Sequence, residues 1–182
     1  MNNQTVEDAK KFLRENYVDG CECPTCGQYV KLYDYKLFAT SALALIRLYN
    51  QTKETKRLDP SHDGFFHISK YAEATKEYAR APHFAELRFW GMIEPAVNND
   101  TTKKSSGYWR ITPIGEQFVK GRSTVKSRIL VFNNKFQGFS DKSEDITIRQ
   151  ALGNKFDYLE LIAGESVANE NFNKAMHVSF KD

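Results

Sequence analysis

Cys23-Pro24-Thr25-Cys26-Gly27 is the most specific short motif in this chain of 182 residues. Two thiols separated by two residues, with proline and glycine shaping the turn, point both sulfurs and the neighbouring amides at one metal ion. Tetrahedral zinc needs two further ligands. Cys21 can supply one, although its closeness to Cys23 makes that geometry unusual, and His62 and His67 can supply one or both. The order Cys23, Cys26, His62, His67 has a two-Cys, two-His composition without the spacing of a DNA-reading finger. Taken singly, His67 is expected as a half-buried strand residue, and His62 and His177 as exposed loop or tail residues. The expectation for the cysteine pair is structural zinc; the competing reading is a knuckle of the same shape that has lost its metal. Catalytic zinc is not expected, because no His-x-Glu or His-Glu-x-x-His arrangement places a general base beside the ligands. A redox Cys-x-x-Cys lacks the βαβ pattern that would support it.

Elsewhere the chemistry is that of charge. The net +3 hides an uneven distribution: Lys103, Lys104, Arg110, Lys120, Arg122, Lys126 and Arg128 face only Asp100 and Glu116 over residues 99–130. Such a stretch attracts a polyanion if folding gathers it on one surface, and is otherwise a solvated basic face. No phosphate-binding loop, dinucleotide fingerprint, nucleophile elbow or kinase set occurs. Glu73 with Glu77, and Asp157 with Glu160, have the spacing of ordinary solvated helix-face acids. A nonenzymatic protein is expected.

The elements that position these residues follow from periodicity and punctuation. With 41% hydrophobic and 27% charged residues the chain has a globular composition, which excludes a disordered or fibrous protein. It has no apolar run of membrane-spanning length and no signal-peptide pattern at Met1, so a cytoplasmic location is expected, with cysteines in a reducing compartment. Thr5 caps a first helix, with Asp8 completing a capping box and Gly20 marking its end. A short strand follows at residues 29–33, then a strongly apolar helix over 36–52. A polar connection to Asp63 leads to a short strand at 65–68. Helices are predicted over 70–80 and 82–90, divided at Ala81-Pro82. Strands at 92–96 and 107–112 flank a polar loop, and Thr112-Pro113 starts a helix to about residue 120. Residues 127–139 alternate around Asn133-Asn134 as a β-hairpin, followed by short helices to about residue 162.

The order helix, short strand, helix, helix, strand, basic loop, strand, helix resembles a winged helix-turn-helix. The resemblance is sharpest in "FAELRFWGMIEP" followed by "GYWRITPIGEQFV", where Tyr108, Ile111, Thr112 and Gly115 are similar to the "Y-x-[IL]-T-x-x-G" ending of many bacterial winged-helix regulators. It covers a little under half of the chain. The chain is also loosely similar to uncharacterised phage and prophage proteins that carry an N-terminal "C-P-x-C-G". The fold expected is therefore α+β: a winged-helix core over 35–122, an N-terminal helix and cysteine knuckle over 1–34, a β-hairpin and short-helix appendage over 123–163, and a mobile tail over 164–182. For such a fold the resemblance implies a helix in the major groove of double-stranded DNA and a basic wing on the phosphates. It assigns DNA contacts to Lys76, Arg80, His83, Arg88, Lys103, Lys104, Arg110, Lys120 and Arg122. Glu86 and Arg88 cancel on the expected recognition helix, and Phe84, Leu87 and Trp90 have core spacing. The reading is a DNA-binding transcriptional regulator of phage or bacterial origin. The alternative is a phage-type protein-binding module that occupies or inhibits a host enzyme or defence factor in the host cytoplasm. For the acidic appendage, homodimerisation or contact with another protein is the expected role.

Overall fold

The computed structural model describes residues 5–70 and 83–163. The helix expected over 70–80, its junction at Ala81-Pro82, the assigned contacts Lys76 and Arg80, His177 and the tail from residue 164 lie wholly or largely outside them. In chain order the elements are α1 (Val6–Asn16), β1 (Cys21–Glu22), β2 (Tyr29–Val30), β3 (Tyr33–Lys36), α2 (Ala39–Leu58), β4 (Phe66–His67) and a 3-10 helix (Phe84–Trp90). Then come β5 (Ile93–Pro95), β6 (Tyr108–Ile111), α3 (Pro113–Val119), β7 (Val125–Lys126), β8 (Arg128–Phe132), β9 (Lys135–Phe139), β10 (Asp145–Ile146), α4 (Ile148–Leu152) and α5 (Tyr158–Ala163). This is a mixed helix-and-strand protein. Among the described residues no helix is long and apolar enough to cross a membrane.

Two compact units result: residues 1–36 with 128–143, and residues 37–127 with the chain from 144 onward. The boundaries differ from the segments read from the sequence. The hairpin β8–β9 and the short C-terminal helices, expected together as one appendage, fall in different units. The reason is strand pairing: β8 takes β3 as an antiparallel partner on one side and β9 on the other, so the hairpin completes a three-stranded sheet with the N-terminal segment. Asn133 and Asn134 turn that hairpin at φ 45° and φ 59°, the left-handed pair that a tight two-residue turn requires. In the same unit Thr5 and Asp8 form the expected capping box, with Thr5 Oγ1 accepting from the Asp8 N–H at 3.2 Å and Asp8 accepting from the Thr5 N–H at 3.0 Å.

The larger unit is built on α2. Leu45, Ile46 and Leu48 are fully buried and meet Leu87, Met92, Phe118, Val119, Ile148 and Leu152 in one apolar core. The helix runs past its expected end to Leu58, because Asn50–Arg57 is polar but contains no breaker. Gln51, Thr52 and Thr55 are buried on one side, and an Arg57–Glu54 pair at 2.6 Å closes the last turn. The chain leaves the helix at Asp59-Pro60, where a proline cannot continue the ladder. The C-terminal helices join this core. Asn50 donates to the Leu161 carbonyl at 2.7 Å and the Tyr158 hydroxyl to the Val119 carbonyl at 2.9 Å.

Residues 84–90 form a 3-10 helix in place of the regular helix that the spacing predicts. Phe84, Leu87 and Trp90 recur every third residue, which matches three residues per turn and lays one apolar line against the core. Gly91 ends the helix in the left-handed region at φ 70°, a conformation that costs glycine nothing. From there β5 pairs with β6, Ile93 opposite Ile111, and β6 pairs with β4, Trp109 opposite Phe66, giving the sheet order β4-β6-β5.

One junction locks this arrangement. Thr112 caps α3 by accepting from the Gly115 N–H at 3.2 Å, while its hydroxyl donates to the Gly91 carbonyl at 2.6 Å and its own N–H to the Met92 carbonyl at 3.0 Å. Gly115 lies against the same strand entry: a Cβ there would stand 2.3 Å from the Met92 carbonyl oxygen and 2.8 Å from Ile111. The Thr-x-x-Gly of the sequence motif is thus a packing device. Thr112→Ala is expected to lower unfolding free energy by about 1–2 kcal/mol, and Gly115→Ala by about 1–3 kcal/mol through overpacking, both measured by urea denaturation. Wild-type stability for Gly115→Ala would contradict the close approach.

Candidate nucleic-acid interface and cysteine knuckle

The basic loop, residues 96–107, joins β5 to β6 and is ordered by its own short polar residues. Ser106 donates to the Ala96 carbonyl at 3.2 Å, and Asn98 spans the loop to the Lys103 carbonyl at 2.8 Å. Asp100 organises the tip: it accepts from the Thr102 hydroxyl and N–H and pairs with the Lys103 ammonium at 2.9 Å. These donors, the Thr102 hydroxyl first and Lys103 next, hold the Asp100 carboxyl below the usual aspartate range.

Most of the assigned cations are similarly engaged. Arg110 pairs with Glu94 across the β5–β6 ladder and lies over the Phe65 ring. Lys120 pairs with Glu116 at 3.0 Å and sits 5.4 Å from the Tyr49 ring centre. His83 stacks on Phe38 and has Nδ1 3.0 Å from both Glu86 oxygens, and Arg88 donates to the Ala85 carbonyl at 2.7 Å. Lys104 and Arg122 are different. Both are exposed, and among the described residues neither forms an ion pair. Charge counting along the sequence included Asp100 and Glu116 but not which cations they pair with, nor Glu94, although Asp100-Lys103 and Glu116-Lys120 stand at the three- and four-residue spacings that permit local pairs. Asp157 has a local duty too, accepting from the N–H groups of Leu159 and Glu160 at the start of α5.

The cysteines lie on the β1–β2 hairpin, where Cys21 pairs with Val30 and Glu22 with Tyr29. Cys23 donates its N–H to the Gln28 carbonyl and its carbonyl accepts from the Gly27 N–H, each at 2.8 Å. Gly27 takes a left-handed φ of 71°. The Cys26 N–H, the Thr25 N–H and the Cys26 thiol are directed at the Cys23 sulfur and lower its pKa from the ordinary thiol value. His62 and His67 belong to the other unit. His62 Nδ1 accepts from the Gly64 N–H at 2.9 Å and the ring stacks on Phe66. His67 Nδ1 accepts from the Lys70 N–H at 3.3 Å, its ring meets Tyr108 edge-on, and Nε2 lies 2.7 Å from where a Cβ of Gly107 would stand. Among the described residues no group of three or more His, Cys, Asp or Glu side chains stands together in a way that could hold a metal ion.

Comparison with known proteins finds no family model, no curated protein and no solved structure that matches this chain.

Because the Asp100 carboxyl is stabilised in its charged form, the order it gives the loop tip is fully present above the ordinary aspartate pKa and is lost as pH falls through the lower folded value. An NMR titration is expected to place the Asp100 midpoint below that of an unperturbed aspartate, and Thr102→Val to move it back up. A midpoint at the ordinary value in the unaltered protein would contradict the network at the tip.

Proposed function

We propose that the larger unit is a winged-helix DNA-binding domain and that the protein is a nonenzymatic transcriptional regulator of bacterial or phage origin. The observation that carries this reading is the strand order β4-β6-β5. In a winged helix the strand that precedes the helix-turn-helix returns to pair with the last strand of the wing hairpin. Here β4 precedes the segment for which the sequence predicts the two helices, and β6 closes the hairpin carrying the basic loop. The wing is residues 96–107. Lys104 is its available cation, Lys103 is shared with Asp100, and Arg122 extends the positive surface beyond α3. Thr101, Thr102, Ser105 and Ser106 add short donors suited to phosphate oxygens.

Contacts of this type hold a protein on the duplex without selecting a sequence. Base reading falls to residues before and within the 3-10 helix, with His83 and Arg88 on its described part. The same surface also supports a second reading as a protein-binding module acting on a host factor. Arg110, Lys120 and Lys103 are offset by Glu94, Glu116 and Asp100, while Val97 and Tyr108, at the two ends of the loop, are exposed apolar side chains.

Titration of double-stranded DNA in varied salt separates the readings. Lys104→Ala and Arg122→Ala are each expected to weaken binding equally for unrelated duplexes and to flatten the plot of log affinity against log salt by about 1. Asp100→Ala is expected to tighten binding, since it removes a negative charge and frees Lys103. Absence of salt-dependent binding, together with a partner retained after nuclease treatment, would decide for the protein-binding module.

A further inference from the structure

The three-stranded sheet β3-β8-β9 has a face that the winged-helix reading does not use. Residues opposite one another on neighbouring strands project to the same side of a sheet. Tyr33 stands opposite Val131 and Tyr35 opposite Ile129, and across β8 the same two residues stand opposite Phe136 and Phe139. The register shift at Leu130 and Val131 puts Phe136 and Phe139, three residues apart, on one side. This face therefore carries two aromatic residues on each outer strand and aliphatic residues on the central one. Ile129 and Val131 are buried, whereas Tyr33, Phe136 and Phe139 are 46%, 44% and 53% exposed. The rings stand in pairs, Tyr33 stacked on Tyr35 at 5.8 Å and Phe136 edge-on to Phe139 at 5.3 Å.

Charge completes the pattern. By sequence the β8–β9 hairpin belongs to an acidic appendage, for which protein contact is expected. Pairing with β3 changes its company: the acids from Glu144 onward fall in the other unit, and residues 31–36 and 128–143 hold Lys31, Lys36, Arg128, Lys135 and Lys142 against Asp34 and Asp141. Asp34 is the sole acid within the three strands. It alternates to the side opposite Tyr33 and Tyr35, where Arg128 pairs with it at 3.1 Å and the Ser140 hydroxyl donates to it at 3.0 Å. The four lysines are exposed and among the described residues form no ion pair. Strand direction puts Lys31 and Lys135 at one end of the sheet and Lys36 and Lys142 at the other, so cations border the aromatic face at both ends.

Exposed rings bordered by lysines suit both parts of an unpaired nucleotide chain: bases stack on rings whatever their identity, and phosphates take up the cations. A duplex keeps its bases stacked on one another and does not offer them. Among the six residues of the face the only polar groups are tyrosine hydroxyls, which gives little to recognise a ribose 2′-hydroxyl, the group by which RNA is told from DNA. We propose that this face binds single-stranded DNA without sequence preference, with bases stacked on Tyr33, Phe136 and Phe139 and phosphates at the four lysines. The proposal does not rest on the winged-helix reading, which concerns the other unit.

The experiment titrates the full chain into a labelled oligothymidylate of roughly 12 nucleotides, a length in the range that one such surface covers, and follows fluorescence anisotropy at several salt concentrations. Binding that weakens with salt is expected. Phe136→Leu and Phe139→Leu keep an apolar side chain and remove the ring, and each is expected to lower affinity about tenfold. Tyr33→Leu, on the opposite edge, gives the same readout should a phenylalanine variant fail to fold. Lys135→Ala and Lys142→Ala are each expected to flatten the plot of log affinity against log salt by about 0.7. Lys104→Ala and Arg122→Ala should leave this binding unchanged, and the leucine variants should leave duplex binding as it is, so the failure of one reading is distinguishable from the failure of the other. No binding of the oligothymidylate, affinity unaltered by all three leucine changes, loss of binding on Lys104→Ala, or tighter binding to an oligouridylate of the same length would each overturn the proposal.

Discussion

The larger unit depends on a close approach between two backbones. At Gly115 the first turn of α3 comes so near the Met92 carbonyl that no side chain fits between them, and Thr112 fastens the same place with a cap on one side and a hydroxyl bond to Gly91 on the other. This contact sets where the 3-10 helix stops, where β5 starts and where β6 hands over to α3. Ile93 and Ile111 then face each other in register, and Phe118 and Val119 reach the apolar side of α2. The position of the basic loop is a consequence, since its two ends are the strands this junction aligns.

Electrostatics at the loop are governed by local compensation. A run of seven cations against two acids suggests a strong positive field, yet pairing with Asp100, Glu94 and Glu116 confines much of it to short-range contacts. Exposed pairs of this kind add little to stability. They neutralise Lys103, Arg110 and Lys120 locally, whereas the exposed Lys104 and Arg122 form no ion pair among the described residues. At the cysteine turn the local donors act on a sulfur instead, the Cys26 and Thr25 N–H groups lowering the Cys23 thiol below its ordinary pKa.

Features written in adjacent residues were legible before the structure. Thr5 with Asp8, Asn133 with Asn134, the cap at Thr112 and the cysteine turn each depend on groups a few residues apart, so residue type and spacing determine them. The three-residue recurrence of Phe84, Leu87 and Trp90 was visible too, but the same spacing also occurs along an α-helix face, and packing selected the tighter winding. The length of α2 was hidden because polar residues at Asn50–Arg57 look like a linker until a core is present to bury Gln51, Thr52 and Thr55.

Long-range choices were made only in three dimensions. That β8 pairs with β3, far away in the chain, and that α4 and α5 return to α2, follow from which edges and apolar faces remain uncovered once the local elements exist. Which lysines and arginines keep their charge available was likewise decided in part by strand register, which set Arg110 opposite Glu94. Local order in the chain thus determined the turns, the caps and the knuckle, because their hydrogen-bond partners are near neighbours. The division into two units and the charge pattern of the loop hairpin required the tertiary structure, because burial and cross-strand pairing act between residues that the sequence keeps far apart.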